Sequence, residues 1–270
     1  MTAFLNEPVG TIAFCWRIER ADGVCLGFTT HDRDLEIGHL TYRAAPGMLP
    51  SAITMTDGFD AARLEIGGAL SSAAITERDL QAGRWDGAAV RIFMTDWADP
   101  GAEQLVLARG EIGDVSMEGM AFSAELRGMT AALERPVSEQ TSPECRASLG
   151  DRRCRVDLAG RTRVTHVMAF DEDVLTVADA AAGNASGYGR LRWIGGANSG
   201  LQSRIASSAG TRLTLAEPPP FLPEAGDRVE IVEGCDRSFA TCRTRFGNAV
   251  NFRGEPHLPG MDLLTRYPGT

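Results

Sequence analysis

Four of the six cysteines set the strongest constraint on how this chain folds. Eight residues separate Cys145 from Cys154, six separate Cys235 from Cys242, and 80 lie between the two pairs. Two pairs brought together by an intervening β-rich insertion make a four-thiolate site. In a cytosolic protein, cysteines at short spacing point to metal or redox chemistry more than to disulfides. Thiolates are soft ligands, and four of them select zinc or an iron–sulfur cluster. A zinc knuckle turns within about two to four residues. The looser gaps here fit better when each pair straddles a larger object such as a 4Fe–4S cube, with zinc as the alternative. Two disulfides, or unrelated buried thiols, are the competing structural readings. Arg146, Arg152, Arg153, Arg155, Arg237, Arg243 and Arg245 surround the set. Their guanidinium groups would offset the negative charge of a thiolate-bound cluster. Cys15 and Cys25 lie far from these four and read as small core residues that meet across a hairpin at most.

The chain's 270 residues suffice for two domains, each with its own core. No apolar run approaches the roughly 20 residues of a membrane span. Met1 to Gly10 lacks the basic start of a signal peptide. Synthesis in the cytoplasm follows, without membrane insertion. All 27 basic residues are arginine, and the net charge of −9 argues against a protein that neutralises nucleic-acid phosphates.

The first half is β-rich. Thr11 to Ile18 and Val24 to Thr29 predict a hairpin turning at Ala21-Asp22-Gly23. Leu40 to Arg43, ended by Pro46-Gly47, Arg63 to Ile66 and Val90 to Trp97 predict further strands. Thr76 to Ala82 predicts a short helix capped by Thr76. Gln104 to Met117 and Ala121 to Arg127 predict a hairpin turning at Glu118-Gly119, and Met129 to Glu134 a closing helix. The polar stretch from Pro136 to Pro143 marks a boundary, dividing the chain into 1–136 and 137–270. Beyond it, Arg163 to Phe170 with Val174 to Ala178, Gly189 to Ile194, and Leu201 to Ala206 with Thr211 to Ala216 predict strands and hairpins, and Arg228 to Val232 a last strand. Residues 163–232 thus form a barrel-like insertion between the cysteine pairs. Short strands at this spacing suggest small barrels or sandwiches.

Catalytic signatures are missing: there is no P-loop, no zinc-protease helix motif and no nucleophile elbow. Strand alternation would separate His31 from Asp32 and Asp34, so that trio reads as a polar turn or interface network. His166 has no neighbouring partner in sequence, and His257 sits in an ordered loop. Trp16, Trp85, Trp97 and Trp193 read as core or interface residues. Gly195 to Gly200 reads as a hairpin turn, since no helix start follows to bind phosphate.

The segment Gly234-Cys235-Asp236-Arg237-Ser238-Phe239-Ala240-Thr241-Cys242-Arg243, continued by Arg245-Phe246-Gly247-Asn248 and Asn251-Phe252-Arg253-Gly254, resembles the baseplate hub proteins of phages and gene transfer agents. So do Pro256 and Pro259-Gly260, and Gly27-Phe28-Thr29-Thr30-His31-Asp32-Arg33-Asp34-Leu35 in the first half. The cysteine spacing is also similar to that of the tail-tip protein L of lambda-like phages. The resemblance implies a mainly β fold: two β-barrel-like hub domains, a few short helices, and an iron–sulfur site in the C-terminal part with Cys145, Cys154, Cys235 and Cys242 as ligands. It implies a structural, non-enzymatic tail subunit, assembled in the virion baseplate as a homotrimer around the DNA channel. Such a hub sits between the distal tail ring and the central tip or fibre (megatron-like) protein, with a tail peptidase as a further partner and DNA only as passing cargo. Away from tails, the same residues would suit an iron–sulfur redox protein or a zinc-stabilised binding module.

Overall fold

The computed structural model describes residues 10–44, 49–50, 63–69, 75–118, 121–128 and 138–258. The chain forms two compact units, Met1–Val137 and Ser138–Thr270.

Among the described residues, the first unit is a nine-stranded sheet. Its strands are β1 (Ile12–Glu19), β2 (Cys25–Thr29), β3 (Leu35–Ile37), β4 (Leu40–Ala44), β5 (Leu49–Pro50), β6 (Arg63–Ala69), β7 (Ala89–Asp96), β8 (Gln104–Glu118) and β9 (Ala121–Arg127). They lie in the order β3-β4-β2-β1-β7-β8-β9-β6-β5. β1 is apolar on both faces because it buries both. Trp16 and Ile18 pack with Phe28, Trp85 and Ile92, while Ala13 and Cys15 pack with Leu35, Tyr42 and Phe93. A strand covered on both sides reads as a continuous apolar run rather than an alternating one. Gly27 is required where β2 runs beside β4, since a Cβ there would stand 2.9 Å from the Tyr42 ring. Cys15 faces Thr29 and Cys25 faces Glu19 across the first hairpin, so these two thiols do not meet. The short helix α1 (Glu77–Gln81) is capped as expected, the Thr76 hydroxyl accepting from the Asp79 amide at 3.1 Å. The expected helix over Met129 to Glu134 and the turns at Pro46-Gly47 and Gly119 lie outside the described residues.

The second unit is built on a closed five-stranded barrel: β10 (Thr162–Asp171), β11 (Val174–Ala181), β12 (Arg190–Trp193), β13 (Gln202–Leu215) and β14 (Arg228–Val232), ordered β10-β11-β13-β12-β14. Inward residues alternate along every strand, and Val167, Leu175, Leu191, Trp193, Ile205, Leu213, Val229 and Ile231 fill the interior. The hairpin expected around Ala209-Gly210 is instead one long strand, β13. Its first part pairs with β12 and its last part with β11, and Gly210, at φ +61°, bends it between the two. A bent strand serving two neighbours is a way to turn a barrel corner. The loop Gly195 to Gly200 joins β12 to β13 as a hairpin, anchored by buried Asn198. Its side-chain amide donates to the Phe221 carbonyl at 2.7 Å and its oxygen accepts from the Phe221 amide at 3.1 Å.

The expected fold class is corrected on two counts. Among the described residues, only the second unit closes as a barrel; the first is a sheet with β3 and β5 at its ends. The expected iron–sulfur site is not a feature of the fold as it stands: among the described residues, no three or more His, Cys, Asp or Glu side chains stand close enough to hold a metal ion.

Candidate functional site

The four cysteines sit in the segments on either side of the barrel's sequence, three on loops and Cys242 on a short helix, and β10 and β14 bring those segments together. These strands pair antiparallel with Thr162 opposite Val232, so the chain entering the barrel lies beside the chain leaving it. The Glu233 amide donates to the Arg161 carbonyl at 3.0 Å and extends that contact into the loops. The Cys145 amide then donates to the Arg237 carbonyl, and the Arg146 amide to the Arg253 carbonyl, each at 2.9 Å.

Three of the four thiols have a local anchor, and Cys145 is tied to Arg237 and Arg253 of the other loop. Asp151 organises the turn before Cys154, its carboxylate accepting from the amides of Ser148 (2.9 Å), Arg153 (2.8 Å) and Cys154 (2.6 Å). Burial pushes the Asp151 carboxyl up, but these three N–H groups outweigh it and hold its pKa below the usual range. Asp236 is arranged in the same way after Cys235. It accepts from the Ser238 amide at 2.9 Å and the Thr241 hydroxyl at 2.8 Å, and these outweigh the upward effect of burial. Cys242 lies on the short helix α2 (Phe239–Thr244), which Ser238 caps through the Thr241 amide at 3.1 Å. Phe239 packs edge-on against Phe252 with ring centres 5.0 Å apart.

The sulfur atoms meet backbone and amide groups. The Arg237 amide donates to Cys235 Sγ and the Arg253 amide to Cys145 Sγ, both at 3.4 Å. Asn248 Nδ2 donates to the Cys154 carbonyl at 2.6 Å and lies 3.7 Å from Cys154 Sγ. Cys242 Sγ donates to the Asn248 carbonyl at 3.4 Å. Burial pushes the Cys235 and Cys242 thiols up, and the other cysteines of the set push further in the same direction. The structure therefore brings all four expected residues within electrostatic reach of one another. It does not gather them at the spacing of a single ion. Cys235 and Cys242 are held by hydrogen bonds within their own loop, whereas Cys145 and Cys154 are met by Arg253 and Asn248 from the other one.

Three of the seven arginines expected to surround the thiols, Arg146, Arg153 and Arg245, are committed to carboxylates. Arg146 grips Glu255 with both terminal nitrogens, at 2.7 and 2.8 Å, and also bonds Glu139 at 3.1 Å. That grip, with the Ser142 amide, holds the Glu255 carboxyl down to about 2. Arg153 pairs with Glu139. Arg245 binds Glu233 at 2.8 Å and the carbonyls of Ala185 (2.8 Å) and Gly234 (3.0 Å). Arg161 binds the same Glu233 oxygen at 2.8 Å, and both arginines stack on Phe246 at 4.8 Å. Sequence reading missed the anchors Asp151, Asn248 and Glu255. An aspartate three residues before Cys154 was the available signal for the first; the other two act across more than 90 residues of chain.

The first-half motif is a structural turn. Thr29 Oγ1 donates to the Phe14 carbonyl at 3.2 Å, and Asp34 accepts from the Ala44 amide at 2.8 Å. His31 and Asp32 do approach, at 3.3 Å, because this segment is a turn and not a strand. The His31 ring accepts from the Arg33 amide at 3.1 Å and lies 5.1 Å from the ring of Trp97. Trp16, Trp85 and Trp193 are buried in the cores, and Trp97 is partly exposed. His166 is exposed on β10, and His257 is exposed in its loop.

Residues 1–157 match the family described as the baseplate hub protein, N-terminal attachment domain. Residues 186–262, which include Cys235 and Cys242, match the family described as phage conserved hypothetical protein BR0599. No curated protein matches the chain. A solved structure of the virion of a native gene transfer agent (GTA) particle contains a chain with 41% identity and a TM-score of 0.85, the match covering 99% of this chain and 95% of that one. This chain belongs to the baseplate hub protein family.

Proposed function

We propose that this protein is a structural subunit of the tail baseplate of a phage-like particle, of the gene transfer agent kind, and that it joins the distal tail ring to the central tip protein as a trimer around the DNA channel. The observation that carries this reading is the likeness along nearly the whole chain, at 41% identity, to a chain of a native gene transfer agent virion. The architecture suits a load-bearing part. The described residues form two units made almost wholly of hydrogen-bonded strands over packed apolar cores, and their functional-looking turns are bonded internally. The acidic balance of −9 suits a channel wall past which DNA must slide, because a basic lumen would retain phosphates. Deleting the gene tests the reading: tails should lack tips and deliver no DNA. Normal, infective-looking tails after deletion would contradict it.

The cofactor is a separate proposal for Cys145, Cys154, Cys235 and Cys242. Four soft sulfur donors with N–H groups already directed at two of them suit an iron–sulfur cluster, whose ligands stand further apart than those of one ion. When bound it would supply a cross-link between the two loops, coupling cofactor binding to folding. A single zinc ion is the alternative. Anaerobic purification decides: about four irons per chain support the cluster, and one zinc with colourless protein contradicts it.

A further inference from the structure

We propose that a groove beside Tyr188, at the rim of the barrel, docks an acidic peptide segment of a neighbouring subunit in the assembled particle; this rests on the tail reading above. The groove holds about 320 Å³, and its walls include Tyr188, Arg190, Gln202, Arg204 and Arg237.

The backbone around the groove is held in uncommon conformations. Tyr188 has φ +60° and Arg237 φ +61°, a region bulky residues rarely adopt. The cause at Tyr188 is the packing of its flanking glycines. A Cβ on Gly189 would lie 2.3 Å from the Val232 carbonyl oxygen, and one on Gly234 would lie 1.9 Å from that of Gly187. Main chain therefore packs directly on main chain, and the Tyr188 ring is turned outward, 63% exposed. Arg237 is fixed on both sides, its amide on Cys235 Sγ and its carbonyl on the Cys145 amide. Strained residues in rigid settings concentrate at binding sites.

The chemistry of the walls selects the occupant. Arg190 and Arg237 are exposed and have no partner among the described residues. Arg204 makes only a loose, fully solvated pair with Glu217 at 3.5 Å. The carboxylate on the wall, Glu233, is already held by Arg161 and Arg245. The groove thus presents positive charge on a protein that is strongly acidic overall. Exposed tyrosine and arginine are the side chains that most often anchor protein contacts, and guanidinium groups bind carboxylates in paired geometry. A nucleic-acid occupant is disfavoured, because the space admits a few side chains rather than a strand and the acidic remainder repels phosphate.

The test places the photo-crosslinker p-benzoylphenylalanine at position 188 of the full chain, irradiates purified particles, and maps the linked peptides by mass spectrometry. The expected product joins position 188 to an Asp- or Glu-rich segment of another protein subunit. Its yield should fall about tenfold in Arg190→Gln/Arg237→Gln and by a smaller factor in Arg190→Gln alone, with unchanged thermal midpoints. Linkage to DNA, linkage to a segment without carboxylates, no linkage in particles that contain the chain, or a yield indifferent to both variants would each overturn the proposal. Particles lacking the chain altogether would refute the tail reading instead, and the chain's own peptides report that separately.

Discussion

Within the second unit, the barrel and the cysteine loops are stabilised by different physics. The barrel needs little beyond its strands: ten inward side chains are buried in one contiguous cluster, and every strand has two neighbours. The loops have few ladders and almost no core. They are tied by carboxylates on backbone amides, by arginines on carbonyls and by the Arg146–Glu255 and Arg245–Glu233 pairs. Apolar burial is non-directional and tolerates relaxation; polar ties are directional and fail one at a time. The barrel is therefore a rigid platform, and the loops are held to it by directional ties.

That contrast is open to attack by substitution. Leu213→Ala empties a fully buried position and should destabilise the whole second unit by about 3 kcal/mol in denaturant unfolding. A loss confined to one strand would break the picture of a single cooperative barrel. Arg245→Ala removes three bonds joining the Cys242 region to the barrel rim, and about 2 kcal/mol is expected, with the barrel amides still protected in hydrogen exchange. Global loss of protection would mean that the loops support the barrel instead. Asp151→Ala should cost about 1 kcal/mol, and faster exchange should be limited to the Ser148, Arg153 and Cys154 amides.

Acid sharpens the comparison. Glu255 is held down to about 2 in the folded chain against an ordinary value of 4.5. A depressed folded pKa contributes stability that is complete above the unfolded value and is lost as pH falls through the folded one. Between these values the loop tie weakens while the apolar barrel is unaffected. An NMR titration should give Glu255 a midpoint near 2, moving toward 4.5 in Arg146→Gln. The smallest effect belongs to Arg204→Ala, whose pair with Glu217 is solvated on both sides, and less than about 0.5 kcal/mol is expected.

The same division governs what the sequence reveals. Strand periodicity located β1, β7, β10 and β14 to within a residue or so, because burial imposes its period on neighbouring positions. It failed at Ala209-Gly210, where a bend inside β13 carries the composition of a turn. It did not separate an open sheet from a barrel in the first unit, since closure depends on which distant strands pair. Of the candidate site, spacing pointed to the approach of the two cysteine loops, which the pairing of β10 with β14 brings about. Asn248 and Glu255 were not legible, because a bond from Asn248 to the Cys154 loop leaves no local pattern. The arginines misled for a related reason: their number was readable, but their commitment to Glu139, Glu233 and Glu255 was not.

The central claim, that this chain is a built-in part of a tail baseplate, is tested most directly by quantitative mass spectrometry of purified particles. The account predicts this chain at a fixed ratio to the other tail proteins, at about three copies per particle for the closed ring of a cyclic trimer. Its absence, or a ratio that varies between preparations, would contradict the account.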